Sequence, residues 1–214
     1  MKHALKQKPN RRKFHAKAPD ETKKAEEVND RVYLDLSTIK APKNLNVTVS
    51  LPVWRIIVDE KTGFKTSDFY DKKNRMVDPT CALFQCWKES NKPVKIVRMD
   101  NAGENKVLEE KSNGASWKLG IKYEYTARDT PQQNSLAEVG FALIANKGRA
   151  LMANANVPLK IRYKVVSEAF KTATLLDGLV LSQLMARQLQ GMSTGQKASL
   201  SLLSTSGPGE KLVQ

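Results

Sequence analysis

Short runs of apolar and β-branched residues alternate along the chain with longer segments in which apolar residues recur every three or four positions. The short runs predict β-strands, and the longer segments predict amphipathic α-helices. The predicted strands cover about residues 31–39, 47–60, 62–70, 93–100 and 121–127. The predicted helices cover about residues 76–92, 104–117, 133–155 and 159–179. In the first helix, Asp78 is expected to be the N-cap, with Pro79 at the first helical position.

The order of these elements predicts the fold class. Three strands come first, and Thr62 and Gly63 suit the turn between the second and the third. A helix, a strand, a helix, a strand and two helices follow. A β-meander followed by this alternation is the order expected of a ribonuclease H-like fold, which is an α/β architecture with a mixed five-stranded sheet and flanking helices.

The chain is predicted to divide into one core and two tails. A chain of 214 residues suits one domain with tails, and we place this core domain at residues 31–180. Residues 1–30 are expected to form a basic, disordered arm. Residues 181–214 are rich in Ser, Gly and Gln and are expected to form a disordered tail, in which part of segment 182–192 can be helical.

Positive charge is the main compositional signal. The chain contains 36 Lys and Arg residues against 22 Asp and Glu, which gives a formal net charge of +14. Half of this excess lies in the first 24 residues, where Arg11, Arg12 and Lys13 are candidate contacts to nucleic-acid phosphates. The same run is equally compatible with a nuclear-localisation signal or a solubilising terminus. The charge therefore favours a nucleic-acid partner, and a motif is needed to support it.

Cysteine usage and hydropathy argue against a disulfide framework, a zinc site, a membrane span and a secretory signal. The only cysteines are Cys81 and Cys86, which excludes a disulfide framework, and no His or Cys spacing suits a zinc site. No apolar run approaches the roughly 20 residues that span a bilayer. The basic start of the chain lacks the hydrophobic segment of a secretory signal. We expect an intracellular protein, nuclear or cytoplasmic, that is not secreted and has no membrane partner.

Three acidic residues lie where a metal site can form. Asp35 is in the first predicted strand, Asp100 ends the fourth, and Glu138 is near the start of the third predicted helix. In an α/β sheet, residues at the ends of adjacent strands converge at one edge, and a helix packed alongside can direct a carboxylate there. Three clustered carboxylates repel one another unless a cation such as Mg²⁺ or Mn²⁺ binds them. The pattern predicts metal-dependent phosphoryl-transfer chemistry on nucleic acid.

The helical period places other polar residues relative to Glu138. At 100° per residue, Asn134 lies about 40° away and Arg149 about 20° away, whereas Lys147 lies on the opposite side. Asn134 is therefore a candidate contact to the metal site or its substrate. Arg149 is about 16 Å further along the helix, which makes it a candidate DNA-phosphate contact or a solvated helix charge. Lys147 is the other positive charge of this segment and a further candidate for nucleic-acid binding.

Two strings within these segments carry a family resemblance. DNAGEN at 100–105 and TPQQNSLAE at 130–138 resemble the DNxGEF and TPQQNGxAE signatures of the integrase catalytic core of copia-type long-terminal-repeat retrotransposons. The resemblance spans about residues 31–179. It departs from the family pattern where Ser135 replaces a glycine and where an apolar segment, instead of basic residues, follows Glu138. By this resemblance, Asp35, Asp100 and Glu138 occupy the catalytic triad positions.

The resemblance implies a function. Integrase cores use Mg²⁺ or Mn²⁺ to process the 3′ ends of element DNA and to transfer them into target DNA, and they work as homo-oligomers without an organic cofactor. Two alternatives remain open. One is a catalytically inactive remnant of a transposon polyprotein that still binds DNA. The other is a ribonuclease H-like nuclease that cuts RNA–DNA hybrid or structured DNA with the same metals.

Overall fold

A central sheet with helices on both faces organises the chain. The structure, a computed structural model, describes residues 24–126 and 134–204. The strands are β1 (Arg31–Thr38), β2 (Val53–Asp59), β3 (Lys65–Tyr70), β4 (Ile96–Met99) and β5 (Lys122–Tyr125). The α-helices are α1 (Val77–Glu89), α2 (Gly103–Asn113), α3 (Ser135–Asn154) and α4 (Leu159–Ser204). The predicted order of strands and helices is confirmed within the described residues.

The sheet is mixed, as predicted. Its strand order is β3-β2-β1-β4-β5. Strands β1, β2 and β3 form an antiparallel meander, whereas β4 pairs in parallel with both β1 and β5. In the β1–β4 pair, Val32 lies opposite Val97 and Tyr33 lies opposite Arg98. This register decides which residues meet at the ends of the two central strands.

The two faces of the sheet have different cores. Val32, Leu34, Val97 and Met99 project towards α1 and α2 and pack in an apolar cluster with Phe84. The opposite face is covered by α3 and α4, which pack on β1, β2 and β3. Its core is partly aromatic, and its central members are Trp54, Phe69, Phe141 and Phe170. Because side chains alternate along a strand, Tyr33 and Asp35 project to this second face.

Two glycines allow α3 to approach its neighbours closely. A Cβ atom at Gly140 would lie 2.9 Å from Ile56 Cδ1 and 3.0 Å from Val58 Cγ2, so the helix touches β2 directly at this point. A Cβ atom at Gly148 would lie 2.3 Å from Phe170 Cδ1 in α4. The first contact fixes the start of α3 over the sheet. The second fixes its far half against α4.

Among the predicted boundaries that differ from the structure, three have a local physical reason. Helix α1 begins at Val77, directly after a 3-10 helix at Lys73–Met76, so Asp78 is not the N-cap and Pro79 lies inside the first turn. Proline is tolerated there because the first-turn N–H groups have no intrahelical acceptor. Helix α2 ends at Asn113, where Gly114 follows as the C-cap. Strand β2 begins only after Pro52, which lacks the N–H that a ladder requires.

The last helix is longer than predicted. It continues from Leu159 to Ser204, through 46 residues, instead of ending near residue 179. The segment 181–204, expected to be largely disordered, is helical. It contains no proline and is rich in Leu and Gln, which favour helices. Residues 1–23 lie outside the described residues, and the division into arm, core and tail stays a prediction. Within the described part, no helix is long and apolar enough to cross a membrane.

Candidate metal and nucleic-acid site

The first candidate ligand, Asp35, lies on β1 in the middle of the sheet. It pairs with Ile56 across the β1–β2 ladder, and its side chain is partly buried. The backbone N–H of Leu36 donates a hydrogen bond of 2.7 Å to Asp35 Oδ1. This bond holds one carboxylate oxygen, and the projection of Asp35 away from the Val32–Leu34 side places it on the face that carries α3.

The second candidate, Asp100, directly follows β4. Extending the β1–β4 register by two residues beyond Tyr33 and Arg98 places Asp100 opposite Asp35 on the neighbouring strand. Adjacent strands are about 4.8 Å apart, so the two carboxylates belong to one edge of the sheet. Asn105 Nδ2 donates hydrogen bonds to the Asp100 carbonyl oxygen, at 3.1 Å, and to Asp100 Oδ1. Asn105 is itself buried and orients Asp100.

The third candidate, Glu138, lies in the first turn of α3 and is exposed. Its neighbour Ala137 is fully buried in the second core, and Gly140 contacts Ile56 and Val58. These contacts hold the start of α3 on the sheet face to which Asp35 projects. The sequence predicted this placement from one strand, one strand end and one helix, and the structure positions the three residues on those elements. Their role as metal ligands stays a prediction.

Electrostatic interaction links the three carboxylates. The pKa of Asp35 is raised from 3.8 to about 6, mainly by burial and also by the charges of Asp100 and Glu138. The Leu36 N–H bond and the ammonium group of Lys73 act in the opposite direction. Asp100 and Glu138 are therefore close enough to Asp35 to affect its ionisation. We call these three residues the acidic cluster.

Lys73 is a neighbour of the acidic cluster that sequence reasoning missed. Its Nζ lies 2.9 Å from Glu104 Oε1. The hydrogen bond to Glu104, together with the charges of Glu104, Asp100 and Asp35, raises the pKa of Lys73. Lys73 comes from the 3-10 helix before α1, which no pattern in the sequence indicated. It gives the acidic cluster one positive neighbour, whose hydrogen bond goes to Glu104.

The donor set of the acidic cluster fits a hard divalent cation. All three groups are carboxylates, which are the ligands that Mg²⁺ and Mn²⁺ prefer. Asn134, one turn before Glu138, is buried, and within the described residues its Oδ1 has no hydrogen-bond donor. In the described part of the chain, however, no group of three Asp, Glu, His or Cys side chains is closed around a point where a metal ion would fit. The three carboxylates therefore lie in one region without forming a closed cage.

The predicted nucleic-acid contacts have different surroundings. Arg149 is exposed on α3, and its Nη2 donates a 2.6 Å hydrogen bond to Asn146 Oδ1. Lys147 instead forms an ion pair with Asp177 of α4. That contact gives Lys147 a role in holding the two helices together, and its proposed role in DNA binding stays a prediction. The three residues at positions 11, 12 and 13 lie outside the described residues.

A buried ionic network lies beside the acidic cluster on the same face of the sheet. Arg98 Nη2 lies 2.9 Å from Glu124 Oε2, and Arg31 Nη1 lies 3.2 Å from Glu60 Oε2. Tyr33 connects the two pairs, since its hydroxyl donates to Glu60 and accepts from Arg98. Sequence reasoning missed this network. One signal was available, because Arg98 interrupts an apolar strand in alternation with buried Val97 and Met99.

Comparison with solved structures identifies similar folds. A chain of the cryoEM structure of the simian T-cell lymphotropic virus intasome in complex with PP2A regulatory subunit B56 gamma matches with a TM-score of 0.52 at 13% identity. The match covers 71% of this chain and 49% of the matched intasome chain, so this chain spans about half the length of the intasome chain. No protein-family model matches the sequence, and no curated protein matches it.

Two further matches are to the HTLV-2 integrase catalytic core domain in complex with magnesium. The trimeric form matches with a TM-score of 0.46 at 17% identity, over 68% of this chain and 82% of that one. The dimeric form matches with the same TM-score and identity, over 69% and 84%. The sheet topology and the match to the intasome chain point to the same fold. The predicted ribonuclease H-like fold is confirmed.

Proposed function

We propose that this chain is the catalytic core of a retroelement integrase, a polynucleotidyl transferase that uses Mg²⁺ or Mn²⁺ to process and join DNA ends. The observation that carries the proposal is that Asp35 on β1 and Asp100, directly after β4, lie at the same level of two neighbouring parallel strands when their register is extended. Glu138 lies in the first turn of α3, which packs on β1 and β2. The two sequence signatures support the narrower assignment to the copia type. Such a core would act in the nucleus, as a homo-oligomer, on element ends and target DNA.

The three carboxylates have a defined task in this proposal. Asp35, Asp100 and Glu138 would hold the divalent cations. When bound, these ions supply a Lewis acid for the scissile phosphate and lower the pKa of a water or 3′-hydroxyl nucleophile. The protein fixes the ligands before the substrate arrives: Leu36 N–H holds Asp35, and Asn105 holds Asp100. Ligands that are oriented in advance need less reorganisation during the reaction.

DNA would be held mainly through its phosphates. The net charge of +14 supplies the long-range attraction. Arg149 lies further along α3 than Glu138 and can contact a DNA phosphate away from the scissile bond. Asn134 can contact the substrate near the reacting group. Neither residue takes part in proton transfer in this scheme. Both act by positioning the scissile bond relative to the acidic cluster.

A strand-transfer assay tests the proposal. The purified chain is incubated with Mg²⁺ or Mn²⁺ and a labelled duplex that carries the element end, and nicked or joined products are separated on a gel. We expect product from the wild type and a loss of at least about 100-fold in Glu138→Gln, because a ligand is removed. Glu110→Gln is the matched control, since Glu110 is an exposed glutamate on α2. Equal activity in Glu138→Gln and wild type would refute the assignment.

One observation favours a second candidate. The described residues contain no closed metal cage, which is compatible with a DNA-binding remnant that has lost activity. Such a protein would bind duplex DNA with a steep dependence on salt and would give no product in the assay. The substitution Asp100→Asn would leave its affinity for DNA unchanged. An arm of the assay with RNA–DNA hybrid separates both candidates from a ribonuclease H-like nuclease, which would cut the hybrid in preference to the duplex.

A further inference from the structure

A cleft lies between α4, the far half of α3 and the segment that follows β1. It has a volume of about 380 Å³, which is in the range of small-ligand sites. None of the three residues of the acidic cluster lines the cleft, and Ser37, two residues after Asp35 on β1, is the lining residue nearest to the cluster in the sequence. Glu138 and Arg149 are eleven residues apart on α3, which corresponds to about 16 Å along the helix axis.

The floor of the cleft is apolar and aromatic. Trp54 and Phe170 contribute two buried rings whose centroids are 4.8 Å apart. Met152 and Val166, both buried, complete the floor. A flat aromatic ligand gains both apolar contact and ring–ring interaction on such a surface.

The rim of the cleft is positively charged. Lys40, Arg149 and Arg162 line it, and none of its lining residues in the described chain is Asp or Glu. The structure orients both guanidinium groups: Arg149 Nη2 donates to Asn146 Oδ1 at 2.6 Å, and Arg162 Nε donates to the Val157 carbonyl oxygen at 2.8 Å. A guanidinium has five N–H donors, so each arginine can still bind an anion.

Two lysines on the same face of the sheet are neutralised by a carboxylate, whereas the cations of this rim are not. Lys65 and Lys147 both pair with the buried Asp177. Across the described residues, no carboxylate forms a salt bridge with any of the three rim cations. Three cations around an apolar floor create a site for a ligand that combines a negative charge with a flat apolar group.

We propose that this cleft binds a single unstacked nucleotide, with the base on the Trp54–Phe170 floor and the phosphate on Arg149, Arg162 and Lys40. A nucleotide has the two required parts, an aromatic base and an anionic phosphate, next to each other. The inference that this nucleotide belongs to a DNA strand, one that extends beyond its duplex, rests on the proposed function. A free mononucleotide has the same chemistry and is distinguished by experiment.

The test measures binding in Glu138→Gln, which removes the proposed chemistry without changing the cleft. A duplex with a three-nucleotide single-stranded overhang carrying 2-aminopurine is compared with the blunt duplex by fluorescence titration. We expect the overhang to increase affinity about tenfold and to change the 2-aminopurine emission. The double variant Arg149→Ala/Arg162→Ala should lose this preference. Lys164→Ala, an exposed lysine on α4 outside the cleft, should keep it.

Further arms decide the remaining outcomes. Arg162 also bonds the α3–α4 connection, so Lys40→Glu/Arg149→Glu, which changes two exposed side chains, serves as a second variant if the first unfolds. If Glu138→Gln binds the overhang duplex and the blunt duplex with equal affinity, a DNA strand is not the occupant. If, in addition, 2-aminopurine deoxyribonucleoside monophosphate does not bind, the cleft is not a nucleotide site. Binding of the mononucleotide alone identifies a free nucleotide as the occupant. Strand-transfer activity of the wild type is scored separately, so a failure of the cleft is distinguishable from a failure of the proposed function.

Discussion

Two aspartates on the same side of the sheet are in opposite electrostatic situations. Asp177 on α4 is buried, but hydrogen bonds from Lys147 and Lys65 outweigh its burial and lower its pKa. Asp35 is partly buried, and its pKa is raised to about 6 by that burial and by Asp100 and Glu138. The first carboxylate has cations placed beside it by the fold. The second is surrounded by further carboxylates.

The difference indicates which acids serve the fold and which serve a ligand. Asp177 connects two helices and one strand, and the Arg31–Glu60 and Arg98–Glu124 pairs likewise balance charge inside the protein. In the described part of the chain, Lys73 is the positive charge that lowers the pKa of Asp35, and its hydrogen bond goes to Glu104. A local excess of negative charge near the end of a central strand is typical of a site that binds a cation.

The largest expected effect on stability is at Asp177. Replacing it with Ala leaves Lys65 and Lys147 without their shared acceptor, so we expect the free energy of unfolding to fall by about 3 kcal/mol. Urea denaturation measures this change. Glu168→Ala, an exposed glutamate on the same helix, should change it by less than about 0.5 kcal/mol. If the two variants were equally stable, the ion pairs of Asp177 would not be structural.

At Asp35, we expect a substitution to raise the free energy of unfolding instead of lowering it. Its folded-state pKa, about 6, is above the ordinary value of 3.8, so its contribution to stability decreases as the pH rises between these values and stays low above pH 6. Replacing Asp35 with Asn removes this charge. We expect an increase of about 2 kcal/mol in the free energy of unfolding at pH 7.5 without metal, after allowance for partial exposure, and almost no change at pH 3.5.

Thermal or urea unfolding at the two pH values checks this prediction. Asp71→Asn is the control, because Asp71 is exposed and lies outside the acidic cluster. Destabilisation of Asp35→Asn at pH 7.5 would mean that the Asp35 charge is already balanced, and the contrast with Asp177 would disappear.

The smallest effect separates two basic residues on α3. Arg149→Ala should weaken duplex binding and lower the slope of log affinity against log salt by about 1, since one phosphate contact is lost. Lys147→Ala should lower that slope less, because its ammonium group is already paired with Asp177. Fluorescence anisotropy over a range of salt concentrations measures both slopes. Equal slopes for the two variants would remove the distinction between them.

The sequence was sufficient to predict the elements that carry the site. Alternating and three-to-four-residue apolar periods predicted the strands, the helices and their order, and these placed Asp35, Asp100 and Glu138 on the correct elements. Helix ends were less predictable. Asp78 is a good N-cap in isolation, but the 3-10 helix at Lys73–Met76 starts the helical path earlier. Local capping preference is weak compared with such a connection.

Contacts between distant segments were not predictable. Asp177 pairs with Lys65 of β3 and with Lys147 of α3. No local sequence pattern relates these three residues. The cleft cations Arg149 and Arg162 likewise meet because α3 packs on α4, and Lys40 joins them from the segment after β1. Gly148 explains why that packing is so close, but a glycine within a helix does not indicate which side chain will approach it.

A titration with Mn²⁺ at pH 7.5, read by the electron paramagnetic resonance signal of the free ion, tests most directly whether the acidic cluster is a metal site. The wild type should bind Mn²⁺, and lowering the pH below about 6 should weaken binding as Asp35 takes up a proton. Asp35→Asn and Glu138→Gln should each lose at least about tenfold in affinity, while Glu110→Gln should match the wild type. Equal binding by all four proteins, or no binding by the wild type, would contradict the assignment of these three carboxylates as metal ligands.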